Sequence, residues 1–124
     1  MTATPQPPRS RETQAVVWLD RVHANVYRLL PTDDIDEALR GVARVEVRHL
    51  PGDGRGDDHY FHEVAHALSN ARRILVVGPG PAKLSLVRHL VHHDPSIEQR
   101  VVGLETVDDV ADERLRVYAR AYLG

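Results

Sequence analysis

A chain of 124 residues with 42% hydrophobic side chains is long enough for one domain with a modest core. Its formal charge of -2 leaves no global basic footprint, so a nucleic-acid partner has to be met by a local patch. Cysteine is absent, which excludes disulfides and thiolate metal sites; no apolar run approaches membrane-spanning length, and the N-terminus lacks a signal-peptide stretch, so a cytoplasmic protein without a membrane partner is expected.

Met1–Thr13 holds three prolines and almost nothing apolar, too little to offset the entropy of ordering it. A disordered tail over 1–13 and a single α/β domain over 14–124 are expected. Ala15–Leu19 is a short apolar run, and Ala24, Val26 and Leu29 alternate loosely with Asn25 and Arg28 beyond it. Two strands joined by a tight turn over Asp20–His23 follow from that pattern. Pro31–Gly41 has Thr32 or Asp33 as a cap and Ile35, Ala38 and Leu39 at helical spacing, which makes it a loop or one short helix. Over Val42–Leu50, Val45 and Val47 point one way and Arg44, Glu46 and Arg48 the other, the signature of a half-buried strand with a charged face. Pro51–Asp58 packs three glycines and three aspartates into eight residues, an exposed, mobile loop.

A helix then carries Phe61, Val64, Ala65 and Leu68 on one stripe, with Asp57 or Asp58 as its cap. Ile74–Val77 is an apolar run broken at Gly78-Pro79-Gly80-Pro81, after which Lys83, Leu84, Leu86, Val87, Leu90 and Val91 set a helical period. This strand–loop–helix has Pro81 at the first helical position and its loop at the carboxyl end of the strand, where open α/β sheets bind ligands. Asp94-Pro95 is a breaker, and Arg100–Leu104 reads as another buried strand. Asp108, Asp109 and Asp112 favour the start of a last helix bearing Leu115, Tyr118, Ala119, Tyr122 and Leu123. The order predicts an α/β fold, a mixed five-stranded sheet of three antiparallel strands followed by βαβ crossovers, with packed helices.

The opening hairpin Ala15–Leu29, the Gly54-Arg55-Gly56 loop before a helix, the segment Ile74–Leu90 and the later Arg100–Glu105 resemble one known family in sequence and order. They are similar to the middle domain of archaeal and eukaryotic peptide-chain release factors, and most of all to small bacterial relatives described as translational machinery components. The resemblance runs from Ala15 to the end of the chain. It implies an α/β sandwich related to ribonuclease H and a ribosome or tRNA partner. In that family the loop before the first long helix ends in Gly-Gly-Gln, whose glutamine orients a water at the peptidyl-tRNA ester. Here Gly54-Arg55-Gly56 runs into Asp57-Asp58. Carboxylates beside RNA phosphates add repulsion and supply no amide donor, so hydrolysis does not carry over. The resemblance therefore implies a non-catalytic factor that meets the translation machinery, with Arg44, Arg48, Gly54, Arg55 and Gly56 as its contact residues.

Three constellations bear on chemistry. Gly78, Gly80 and Lys83 form a loop that lacks the Gly-Lys-Ser/Thr ending of a phosphate-binding loop, and its prolines cannot donate to a phosphate. Lys83 is expected to reach an anion, a partner, or a carboxylate such as Glu105 or Asp20. His62-Glu63-Val64-Ala65-His66 fits the zinc-hydrolase pattern, with His59 as a third ligand one turn earlier. Eight histidines make such a match easy by chance, and no second lobe walls off a substrate cleft, so a solvated helix face is preferred. Arg44 and Arg48 share one side of their strand and offer phosphates a positive rim, diluted by Glu46 and the loop aspartates. His89, His92 and His93 end the central helix, where the dipole favours a protonated imidazole. Ser85 and Ser69 sit on or at the end of helices and make poor nucleophiles. No cofactor is expected. The rival functions are a metal-dependent hydrolase on the His62/Glu63/His66 helix and a protein-interaction or self-association module using an exposed sheet edge.

Overall fold

The computed structural model describes residues 14–29, 34, 37–38, 43–49, 56–109, 111 and 113–124. Its strands are β1 (Gln14–Leu19), β2 (His23–Arg28), β3 (Ala43–Arg48), β4 (Arg73–Gly78) and β5 (Val101–Thr106). The helices are α1 (Gly56–Leu68), α2 (Ala82–His93), the single turn α3 (Pro95–Glu98) and α4 (Glu113–Leu123). The strands form one sheet in the order β3-β2-β1-β4-β5. β1, β2 and β3 pair antiparallel, whereas β1 with β4 and β4 with β5 pair parallel. This is the mixed α/β sheet that the sequence predicts.

Each strand's composition follows from what covers it. β1 and β4 lie centrally with helices on both faces, so their residues are buried almost without interruption and the sequence reads as apolar runs. On one face Val17, Leu19, Val26, Val47, Ile74 and Val76 pack against Tyr60, Val64 and Leu68 of α1 and Leu86 and Leu90 of α2. On the other face Val16, Trp18, Leu75 and Val77 meet Leu115, Ala119 and Leu123 of α4. The helix α4 lies over β4 and β5, and Leu29 and Ala38 join the same apolar layer beside Tyr27 of β2.

Local chemistry closes the joints. Asp20 turns the β1–β2 hairpin by accepting hydrogen bonds from the amides of Val22 and His23, both 2.9 Å from Oδ1, an Asx turn. Arg100 donates to the carbonyls of Ser69 (2.9 Å) and Ala71 (3.1 Å), tying the residues after α1 to the start of β5. Trp18 reaches across to the Val107 carbonyl at 3.3 Å.

Several expected boundaries move. The helix α1 begins at Gly56, so Asp57 and Asp58 lie in its first turn, not before it, where a carboxylate still favours the helix dipole. Pro81 precedes α2 as its cap residue. Asp94-Pro95 does break α2, but Pro95, preset for a first helical position, opens a new turn at once. The last strand runs Val101–Thr106, longer at its end than the apolar run suggests, because the parallel ladder continues to Gly78 opposite Thr106. Glu37 and Ala38 are helical and Asp34 is described beside them, while the remainder of Pro31–Gly41, the expected tail and most of the Pro51–Asp58 stretch lie outside the described residues. No helix among the described residues is long and apolar enough to cross a membrane.

Gly78 and Gly80 share a loop but not a role. A Cβ at Gly78 would lie 2.2 Å from the Leu19 carbonyl oxygen, backbone that β1 holds in place, while one at Gly80 meets nothing within 4 Å. Gly78→Ala is therefore expected to destabilise by about 2 kcal/mol or more in urea unfolding. Gly80→Ala is expected to stay within about 0.5 kcal/mol of the parent. Equal effects from the two substitutions would contradict this packing.

Candidate functional site

The β2–β3 end of the sheet carries polar residues on the α4 side. Arg44, Glu46 and Arg48 of β3 stand opposite Tyr27, Asn25 and His23 of β2 in antiparallel register, all on the α4 side. The sequence expectation that the two arginines share a side holds. Glu46 organises the group: Oε1 accepts from Arg48 Nε at 2.8 Å, and Oε2 lies 3.5 Å from His23 Nε2. The Arg48 guanidinium holds the Glu46 carboxyl below its usual range, partly offset by desolvation. Burial raises the Tyr27 phenol, while its hydrogen bond with Arg44 acts the other way. Behind these charges Asn25 is buried, and its side-chain carbonyl oxygen has no hydrogen-bond partner.

Next to this face, at the carboxyl edge of β1 and β4, a cleft of about 410 Å³ opens between the hairpin turn and the N-terminal turns of α1 and α2. His49, the residue after β3, builds its wall. Its ring stacks on Tyr60 with centroids 5.3 Å apart, and its Nε2 lies 3.0 Å from Asp57 Oδ1. Tyr60 in turn donates to the Asp20 carbonyl at 3.0 Å, and burial pushes its phenol well above the ordinary tyrosine range. Ser85 lines the same cleft, yet its hydroxyl turns to the Pro81 carbonyl at 3.4 Å, so no serine–histidine relay forms. Sequence reasoning passed over His49 and Asp57 as partners, because eight residues and a glycine-rich stretch separate them.

The other expected site residues fall as follows. Lys83 is buried, and its Nζ donates to the Gly80 carbonyl at 2.7 Å, which corrects the expectation of a carboxylate or an outward-facing cation. Its two proposed partners are engaged elsewhere: Asp20 turns the hairpin, and Glu105 accepts from the Tyr122 hydroxyl. Gly78 serves close packing, and Gly80 lies in the open loop. Gly56 opens α1, while Gly54 and Arg55 lie outside the described residues.

On α1, His62, Glu63 and His66 are exposed and line an open groove of about 590 Å³ beside Arg28 and Val45. Glu63 pairs with His59 at 3.0 Å, so the base of the zinc-hydrolase pattern is turned to its own helix. His62 converges with His89 and Asp94 and not with His59 or His66. His89 itself departs most from expectation. It is only 7% exposed, and burial, with His93 adding to it, lowers its pKa; an imidazolium favoured by the helix end is the wrong picture.

No family model and no curated protein sequence matches this chain. Solved structures do. Pelota from Archaeoglobus fulgidus matches at a TM-score of 0.63 and 21% identity, over 87% of this chain and 30% of its own. The archaeal translation termination factor aRF1 matches at 0.56 and 16%, over 86% of this chain and 34% of its own. Dom34 of S. cerevisiae, a translation termination-like factor involved in RNA quality control pathways and interacting with Hbs1, matches at 0.60 and 10%, over 91% and 35%. The chain thus spans about a third of the length of these proteins, and at such identities what it shares with them is the fold.

The charge network on β3 has a direct readout. Because the Glu46 carboxyl is lowered in the folded state, the contribution of its ion pairs is present above the ordinary carboxylate pKa and lost as pH falls through the lowered one. Arg48→Ala should move the Glu46 midpoint up toward its ordinary value in an NMR titration. A midpoint unmoved by that substitution would mean that Arg48 does not hold the carboxylate.

Proposed function

We propose that this chain is a translation-associated factor of the release-factor-like kind that contacts the ribosome or tRNA and does not itself hydrolyse the peptidyl-tRNA ester. The observation that carries the reading is the fold it shares, over most of its length, with Pelota, Dom34 and aRF1. The contact residues of this reading are Arg44 and Arg48 on the β2–β3 face, with Gly54, Arg55 and Gly56, which follow β3 in the sequence. Two features support this choice. The Arg44 and Arg48 side chains are exposed at the end of the sheet, Arg48 to 68%, and two cations on one strand are what a phosphate backbone recognises. Asp57-Asp58, in place of a glutamine directly after Gly54-Arg55-Gly56, supports a binding role without catalysis.

Co-sedimentation with ribosomes at low salt tests the reading. The parent chain should enter the ribosomal fraction, and raising salt should release it. Arg44→Glu/Arg48→Glu, both surface substitutions, should abolish entry while circular dichroism stays unchanged. Single alanine substitutions at the same positions should each reduce the logarithmic salt slope by about 1. A parent chain absent from the ribosomal fraction, or a double variant that enters it equally, would overturn the proposal.

A further inference from the structure

The helices α1 and α2 lie side by side on one face of the sheet, and each presents a pair of ligand-bearing residues one turn apart along their seam. On α1 these are Asp58 and His62; on α2 they are His89 and His93. His89 lies at the centre. It is more than nine-tenths buried, yet neither ring nitrogen has a hydrogen-bond partner among the described residues. A neutral imidazole carries one donor and one acceptor, and burial without partners for either is a demand for a ligand. The ring is held in place by Phe61, with centroids 5.8 Å apart, and by His93 at 4.5 Å.

We propose that Asp58, His89 and His93 form a binding site for one divalent transition-metal ion of the zinc class. One ligand atom from each of the three lies within 4.8 Å of the other two. His89 Nδ1 and Asp58 Oδ1 stand 3.6 Å apart, too far for a hydrogen bond. Two ligands about 2.0–2.1 Å from a tetrahedral ion stand about 3.3 Å from each other, so a small side-chain adjustment seats the ion between them. Two imidazoles and a carboxylate are a borderline donor set that suits zinc, nickel or cobalt better than magnesium or calcium. Asp58 and His93 are exposed, which gives the ion a path in and leaves its remaining position to water.

His62 and Asp94 form a second group with the same His89. The first group is preferred because His89 and His93 are one turn apart on a single helix and Asp58 is the carboxylate nearest the buried Nδ1. An ion there cross-links the first turn of α1 to the last turn of α2. It thereby fixes the helix start that follows the glycine-arginine-glycine stretch. This inference is independent of the translation reading, since it concerns binding of a metal alone.

The test is calorimetric titration of zinc chloride into chelator-treated protein that carries no histidine tag. One ion per chain is expected, with zinc also raising the unfolding temperature. His93→Ala and Asp58→Asn replace exposed side chains, so the fold should persist by circular dichroism. Each should weaken binding at least about tenfold and remove the thermal shift. His89→Gln should do the same, and His59→Ala/His66→Ala should leave binding unchanged. The proposal fails if the parent binds no zinc, or if binding survives in His93→Ala and Asp58→Asn. It fails equally if His62→Ala abolishes binding while His93→Ala does not, which would place the ion in the second group, or if the His59/His66 double variant loses it.

Discussion

Gly78 ends β4 with no room for a side chain against the carbonyl of Leu19, the last residue of β1. That contact belongs to the parallel β1–β4 pair, which joins the antiparallel β1–β2–β3 half of the sheet to the β4–β5 half. The described cleft and the histidines of α2 are positioned from there. The loop after Gly78 leads into α2, whose N-terminal turn walls the cleft and whose last two turns carry His89 and His93. The turn after Leu19 carries Asp20, whose carbonyl anchors Tyr60 and through it the His49 ring. Because the pair is central and buried on both faces, loosening it would disturb both hydrophobic layers together.

Polar groups are divided between two faces. On the α4 side the side chains of Arg44, Glu46 and Arg48 of β3 are exposed, and there ion pairs hold geometry more than they add stability. On the α1/α2 side a histidine is driven into the seam between helices. The two proposals assign these faces different partners, a broad, charged backbone to the first and a single ion to the second.

The strands that helices cover on both sides were legible as apolar runs, and β3, covered on one side, as an alternation; the period of each segment reports its burial directly. The β1–β2 turn was legible too, because Asp20 makes it with its own side chain. What the sequence concealed depends on which elements become neighbours. His89 looks like one of three similar histidines near a helix end until α1 is laid beside it. His62-Glu63-Val64-Ala65-His66 suggests one metal site along a single helix, but the structure draws Glu63 to His59 and His62 across to α2. The spacing of Lys83 puts it on the inner arc of its helix, but only the fold shows that its Nζ donates to the Gly80 carbonyl one turn away. Short-range chemistry is written in the order of residues; pairings between helices are not.

The central claim is that the charged β2–β3 face, not the opposite layer of helices, is the surface turned toward the ribosome. A photo-crosslinking side chain placed at Arg44 or Arg48, and in a matched variant at Val91, which is 49% exposed on α2 across the sheet, tests this directly in the presence of ribosomes. Crosslinks to ribosomal RNA from position 44 or 48, and none from 91, are predicted. Crosslinks from 91 alone, or equal yields from both faces, would contradict it.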